Sequence, residues 1–159
     1  MPESLVAEAE RWLDRLFVAA DGATLRREDR RKAVEVAAML REIEMAANRL
    51  SRRSPLILVD AAAGRSYVGL LAAKLVLEPA GRKARVVTIE SDPDRVRSSL
   101  RAVECLGSSI PIECRMGDVA DPSAWPEHPS EAVEFVPATV TPHNLLWRAR
   151  RVLPRERRK

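Results

Sequence analysis

Asp60, Glu90 and Asp118 are the residues whose types and positions could act together in this chain. Asp60 follows the apolar run Leu56–Val59 at once, Glu90 ends the run Arg85–Glu90, and Asp118 comes just after Ile110–Arg115. Short apolar runs of this kind read as buried parallel strands. A carboxylate at the end of the second strand can accept both hydroxyls of a ribose. One after the third can accept from the exocyclic amine of an adenine. One after the first can orient a charged amino group, directly or through water. Between Asp60 and the next helical pattern lie Ala61, Ala62, Ala63 and Gly64. Their small side chains let a ligand approach the backbone closely, with a helix N-terminus behind it. Any one of these acids could equally be a helix cap or a solvated loop residue. At three successive strand ends they favour a nucleotide-type pocket.

The elements that must position them alternate strand and helix. Two helices come first. Ser4 caps one running from Leu5 to about Ala20, with Leu5, Ala9, Trp12, Leu13, Leu16 and Phe17 on one face. Thr24 caps a second, to about Leu50, with Val36, Met39, Leu40, Ile43, Ala47 and Leu50 as its stripe. Pro55 pushes Ser54 out of helical geometry. Strand Leu56–Val59 follows, then a helix from Ser66 to about Leu77, with Ser66 as its cap. After strand Arg85–Glu90, Asp92 caps a helix that starts at Pro93 and stops at Gly107. Strand Ile110–Arg115, a connector over Asp121–Pro129, a fourth strand Ala132–Val136 and a last helix Asn144–Val152 complete the pattern. The reading is an α/β fold with an open, mostly parallel sheet. Right-handed crossovers give it the spatial order 3-2-1-4.

Composition excludes several classes. The 159 residues are 46% hydrophobic and 31% charged, the range of a soluble globular chain. No apolar run approaches the ~20 residues of a membrane-spanning helix. Met1-Pro2-Glu3-Ser4 lacks the basic start and apolar core of a signal peptide, so the expectation is a cytoplasmic protein. Cys105 and Cys114 are too few for a disulfide framework and have no metal-ligand spacing with His128 or His143. Net charge is +4. Arginine clusters at Arg26–Lys32, Arg52-Arg53 and Arg148–Lys159, interleaved with Glu28, Asp29 and Glu35. That leans toward polyanions, although mixed charges on a helix also make an ordinary solvated face.

Three segments resemble the motifs of class I S-adenosylmethionine-dependent methyltransferases. Val59-Asp60-Ala61-Ala62-Ala63-Gly64-Arg65-Ser66-Tyr67 resembles their first motif. Thr88-Ile89-Glu90-Ser91-Asp92-Pro93 resembles the second, and Met116-Gly117-Asp118-Val119 the third. The resemblance covers residues 55–137. It implies a Rossmann-like domain over residues 54–153, preceded by a helical segment at 1–53 and followed by a basic tail at 154–159. It also implies that Asp60, Ala61, Ala62, Ala63, Gly64, Tyr67, Glu90, Ser91, Asp118 and Val119 line a site for S-adenosyl-L-methionine. Glu90 would take the ribose and Asp118 the adenine. The first motif keeps only Gly64 where the family is glycine-rich. Glu90 also lies further from Gly64 than the roughly 20 residues of a dinucleotide fold. A nicotinamide oxidoreductase is disfavoured because the further glycines of Gly-x-Gly-x-x-Gly are missing.

The implied activity is methyl transfer, with RNA as the first candidate acceptor from the arginine clusters. The alternative is a noncatalytic module, degenerate or shortened, that binds the cofactor or a protein partner. His143 is the candidate general base after the fourth strand, though a single loop histidine is more often incidental. Trp125 is the indole best placed to border an adenine. The family sheet has three strands more than this chain supplies. Strand Ala132–Val136 is therefore expected to be an edge that pairs with a second copy or another polypeptide.

Overall fold

The computed structural model describes residues 4–53 and 55–126. The expected strand Ala132–Val136, the helix Asn144–Val152, His143, the tail from Pro154 and the expected pairing edge lie outside the described residues.

Within them the chain is an α/β fold with four helices and a three-stranded parallel sheet. Helix α1 spans Leu5–Leu13, with the Ser4 hydroxyl accepting from the Ala7 N–H at 3.2 Å. It was expected to run to about Ala20. Instead Asp14–Val18 widens into a π-type turn, closed by Ala19 N–H donating to the Asp14 carbonyl at 2.8 Å. Leu16 and Phe17 are thereby buried, at 5% and 3% exposure. Helix α2 spans Arg27–Arg49. Thr24 does not cap it. The Arg26 N–H donates to Asp29 Oδ2 at 2.7 Å, so an acid inside the first turn closes the end, where the helix dipole also favours it.

Strand β1 is Leu56–Ala61, β2 is Ala84–Glu90 and β3 is Ile112–Met116, in the order β1-β2-β3. Leu58 faces Val86 and Asp60 faces Thr88 across the first pair; Glu90 faces Met116 across the second. β1 runs two residues beyond the expected Val59, β2 starts one residue before Arg85, and β3 starts at Ile112, two residues after the expected Ile110, and ends one residue later at Met116; Pro111 has no N–H to donate to the ladder. Helix α3, Tyr67–Ala72, continues as a second π-type turn over Ala73–Leu77. Helix α4 spans Pro93–Leu106, with Asp92 Oδ1 accepting from Asp94 N–H and Arg95 N–H, and ends at Gly107 with φ of 59°.

Both crossovers run in the same direction across the sheet, so the right-handed rule places α3 and α4 on one face. Alternate strand residues Leu56, Leu58, Val86 and Ile112 point to that face and share one hydrophobic core with the helices. The N-terminal helices contribute to this same core through Ala9, Leu13, Val36 and Leu40. Arg82 is buried at 6% exposure and donates to the Leu50 and Ser51 carbonyls at the end of α2. Among the described residues no helix is long and apolar enough to cross a membrane.

Candidate functional site

The loop between β1 and α3 carries unusual backbone. Ala62, Gly64 and Ser66 all lie in the left-handed region, with φ of 55°, 60° and 60°. For a residue with a Cβ this costs on the order of 1–2 kcal/mol. Such a conformation persists only where the surroundings over-determine it, and those places cluster at functional sites. Here β2 supplies the restraint. Ala63 N–H donates to the Ile89 carbonyl at 2.9 Å, and Gly64 N–H donates to Glu90 Oε2 at 2.6 Å. Ala61 and Ala62 are exposed, so the turn presents nearly bare backbone to solvent.

Ser66 does not cap α3 with its side chain. Its hydroxyl is buried and hydrogen-bonded to Ser99 Oγ at 3.0 Å, and Ser99 Oγ also reaches the Arg95 carbonyl at 3.0 Å. The cap comes instead from β1. Gly69 N–H, the third of the helix, donates to Asp60 Oδ2 at 2.8 Å. This requires α3 to lie almost on the strand. A Cβ at Gly69 would sit 3.0 Å from Thr88 Cγ2 and 3.1 Å from Asp60 Oδ2. Gly69 therefore does what a glycine late in a dinucleotide-binding turn does, which is to allow close helix–strand packing.

Asp60 is half-buried by surface, but its carboxyl lies in this strand–helix junction. Desolvation pushes it up from 3.8 to about 6 against the lowering effect of the Gly69 N–H, and the nearby Glu90 charge pushes the same way. Glu90 behaves oppositely, although it is only 7% exposed. The Asp92 N–H donates to its Oε1 at 2.9 Å and the Gly64 N–H to its Oε2, and these bonds hold it below the usual glutamate range against desolvation. Its backbone carbonyl also accepts from Gly117 N–H at 3.0 Å. Glu90 thus ties the loops after β1, β2 and β3 together. A carboxylate has about four lone-pair sites. Two are used by backbone N–H groups and the Ser91 hydroxyl makes a long contact to Oε1 at 3.5 Å, which leaves Oε2 open to a further donor and Oε1 open where that hydroxyl is displaced.

Asp118 is exposed, and its Oδ1 accepts from Ala120 N–H at 2.8 Å in a local turn. Beside it Met116, Val119 and Trp125 are exposed at 68%, 38% and 41%. The Trp125 indole N–H donates to the Val119 carbonyl at 2.8 Å, which anchors the ring by its edge. Ser91 is exposed next to Glu90. Tyr67 is turned toward the helical layer, where its ring meets Phe17 edge-on at 4.6 Å. The structure thus gathers Asp60, Ala61–Gly64, Glu90, Ser91, Asp118 and Val119 at the carboxyl end of the sheet, and sets the Tyr67 ring into the packing behind it.

Three participants had escaped the sequence reading. Gly69 was a residue in a helical pattern, Ser99 a small polar residue in another, and Arg95 one charge among many. The spacing Gly64–Gly69 was the available signal for the first. Nothing local signals the Ser66–Ser99 pair, which joins two helices far apart in sequence. Among the described residues no group of His, Cys, Asp and Glu could hold a metal ion. Burial raises the Cys114 thiol, which leaves it a poor nucleophile. Neither a protein-family model nor a curated protein matches the chain.

Proposed function

We propose that this end of the sheet binds the adenosyl part of S-adenosylmethionine in a Rossmann-like domain, and that the chain transfers its methyl group, with RNA as acceptor. The observation that carries the reading is Glu90. It locks the strained β1–α3 turn and keeps Oε2 open to a further donor, while the long 3.5 Å contact of the exposed Ser91 hydroxyl to Oε1 is one that the second of two vicinal hydroxyls can replace. The remaining residues fit the same ligand. The open backbone at Ala61 and Ala62 leaves room for the sugar and amino-acid portion. Asp60, costly to ionise alone, is stabilised as a carboxylate once an ammonium lies beside it. Val119, Met116 and the edge-anchored Trp125 offer apolar surface to a purine, with Asp118 as acceptor for its amine.

The cofactor supplies an electrophilic methyl on a sulfonium, whose carbon–sulfur bond breaks with the electron pair going to sulfur as the acceptor attacks. The chain's part is positional. A pocket held by backbone hydrogen bonds keeps the methyl in line with the acceptor, and such orientation supplies much of a catalyst's effect. Titration calorimetry tests the reading with S-adenosylmethionine, its demethylated product and NAD. Binding of both adenosyl sulfur ligands with no binding of NAD is expected. Absence of binding at millimolar concentration overturns it.

One observation favours a second reading. Glu90 is nearly buried and already satisfied by two N–H groups. That suits a noncatalytic module in which the acid only locks loops. Cofactor binding without methyl transfer to any RNA would select it.

A further inference from the structure

On the outer side of α4 lies an open groove of about 580 Å3, lined by Arg65, Arg95, Arg97 and Arg101 with Asp94 and Leu100. Four arginines and one carboxylate line it, and the carboxylates of Asp21 and Asp92 reach two of those arginines from its margin. Three of the arginines are in ion pairs: Arg65 with Asp21, Arg95 with Asp92 and Arg97 with Asp94. The arginine members of these pairs are 43%, 57% and 67% exposed, so a stronger anion can displace each partner. No ion pair engages Arg101 among the described residues. Arg95 and Arg101 lie about 9 Å apart along the helix at 1.5 Å per residue. A single phosphate cannot span that distance, whereas successive phosphates of one strand can. Leu100, 46% exposed among the cations, gives apolar surface where a base or sugar could rest.

The groove adjoins the β1–α3 turn through Arg65. Arg65 directly follows Gly64, and the Arg95 charge is near enough to help lower Glu90. An anionic chain lying along α4 therefore ends at the strand-end cleft.

We propose that this groove docks the phosphodiester backbone of a single-stranded nucleic acid and feeds it toward Glu90 and the β1–α3 turn. The placement deepens the methyl-transfer reading by naming where the acceptor lies, and it rests on that reading for the strand's purpose but not for its binding. Guanidinium groups recognise phosphate oxygens bidentately, and contacts to backbone phosphates carry a salt dependence set by the number neutralised.

The test is fluorescence anisotropy with a labelled 12-nucleotide RNA, the same sequence as DNA, and a polyglutamate peptide of equal length, across salt concentrations. The variant Arg97→Gln/Arg101→Gln removes two guanidinium groups that lie away from the strand-end loops. The control Arg31→Gln/Lys32→Gln removes two charges on α2. The α4 variant is expected to lose about tenfold or more in RNA affinity and to lower the slope of log affinity against log salt by about 1–2, with the α2 control unchanged. Circular dichroism checks that both variants stay folded. DNA binding like RNA assigns the groove to the shared phosphodiester chemistry; RNA alone adds a contact to the 2′-hydroxyl. The proposal is overturned if neither nucleic acid binds, if the α4 variant keeps full affinity and slope, or if polyglutamate binds as tightly as RNA. Calorimetry with S-adenosylmethionine on the same samples separates the two readings. Arginine-dependent RNA binding without cofactor binding keeps the groove and removes the methyl donor, and the reverse removes the groove alone.

Discussion

Replacing Asp60 by Asn should stabilise the fold at neutral pH and leave it nearly unchanged below about pH 4. In the native protein this carboxyl is raised from 3.8 to about 6. The native state therefore holds the proton more tightly than the unfolded chain. Stability from this group is fully present below about pH 4 and is lost as pH rises through 6. The gap of roughly 2 units amounts to about 3 kcal/mol of cost for keeping the ionised form in the strand–helix junction. Asparagine keeps a carbonyl oxygen to accept from Gly69 N–H and carries no charge to desolvate. Part of the gain is lost because a neutral acceptor binds an N–H more weakly than a carboxylate does. We expect Asp60→Asn to raise unfolding free energy by about 1–3 kcal/mol at pH 7.5, a melting rise on the order of 3–10 °C for a chain of this size. At pH 3.5, below the unfolded value of 3.8, the difference should shrink to a few tenths of a kcal/mol. Urea denaturation followed by circular dichroism at both pH values measures it. A variant equally or less stable at pH 7.5, or a difference that does not depend on pH, would refute the account. Binding of S-adenosylmethionine should weaken in the same variant, since the ammonium loses its counter-charge. Stability gained at the expense of a ligand is the usual relation at such sites.

Glu90 should show the opposite slope: its native value is depressed, so its contribution is present at neutral pH and fades as pH falls through that native value. Glu90→Ala should lose about 1–3 kcal/mol in both stability and adenosyl binding, because the part-buried N–H groups of Gly64 and Asp92 are left without their acceptor; equal stability in mutant and parent would deny its locking role. Gly69→Ala should destabilise by about 1–3 kcal/mol in denaturation, since its Cβ would meet Thr88 and Asp60 in a packed junction, even though alanine is the better helix former. Ala62→Gly should be neutral or stabilising by up to about 1 kcal/mol, because glycine takes the left-handed conformation without strain; the ordinary loss seen for this change elsewhere would show that the turn is not strained.

What the sequence disclosed follows from periodicity. The runs at Leu56, Arg85 and Ile110 located the three described strands: β2 is the central, buried one, and β1 and β3 beside it are half-buried, with β3 alternating apolar and charged residues. Asp92, Pro93 and Gly107 bounded α4 because each has a local reason to be where it is. The caps of α2 and α3 were misplaced for one reason. Both are made by a carboxylate outside the expected cap position, Asp29 within the first turn and Asp60 across the strand. Only tertiary geometry shows that Asp60 reaches Gly69 N–H. The π-type turns were equally hidden, since an extra residue in a helical turn leaves the apolar stripe nearly intact. At the site, the three acids could be named from their place at strand ends. That Glu90 serves three loops could not, because its partners Gly64, Asp92 and Gly117 come from three separate parts of the chain.

The stitching of the β1–α3 turn to β2 also sets when the site can exist. The Ala63 and Gly64 N–H groups donate to the Ile89 carbonyl and to Glu90 Oε2. While β1 and α3 stand alone, only the Ser66 N–H to the Ala63 carbonyl and the Gly69 N–H to Asp60 Oδ2 oppose relaxation of Ala62 and Ser66 out of their left-handed geometry. The pocket is therefore assembled at the step when β2 docks beside β1, and it dissolves when that pairing opens. Amide exchange at Gly64 should follow the opening of the β1–β2 pair and not local fraying of the loop. A ligand seated on this turn would then slow exchange along the whole of β2, as though it were gripping a strand it scarcely touches.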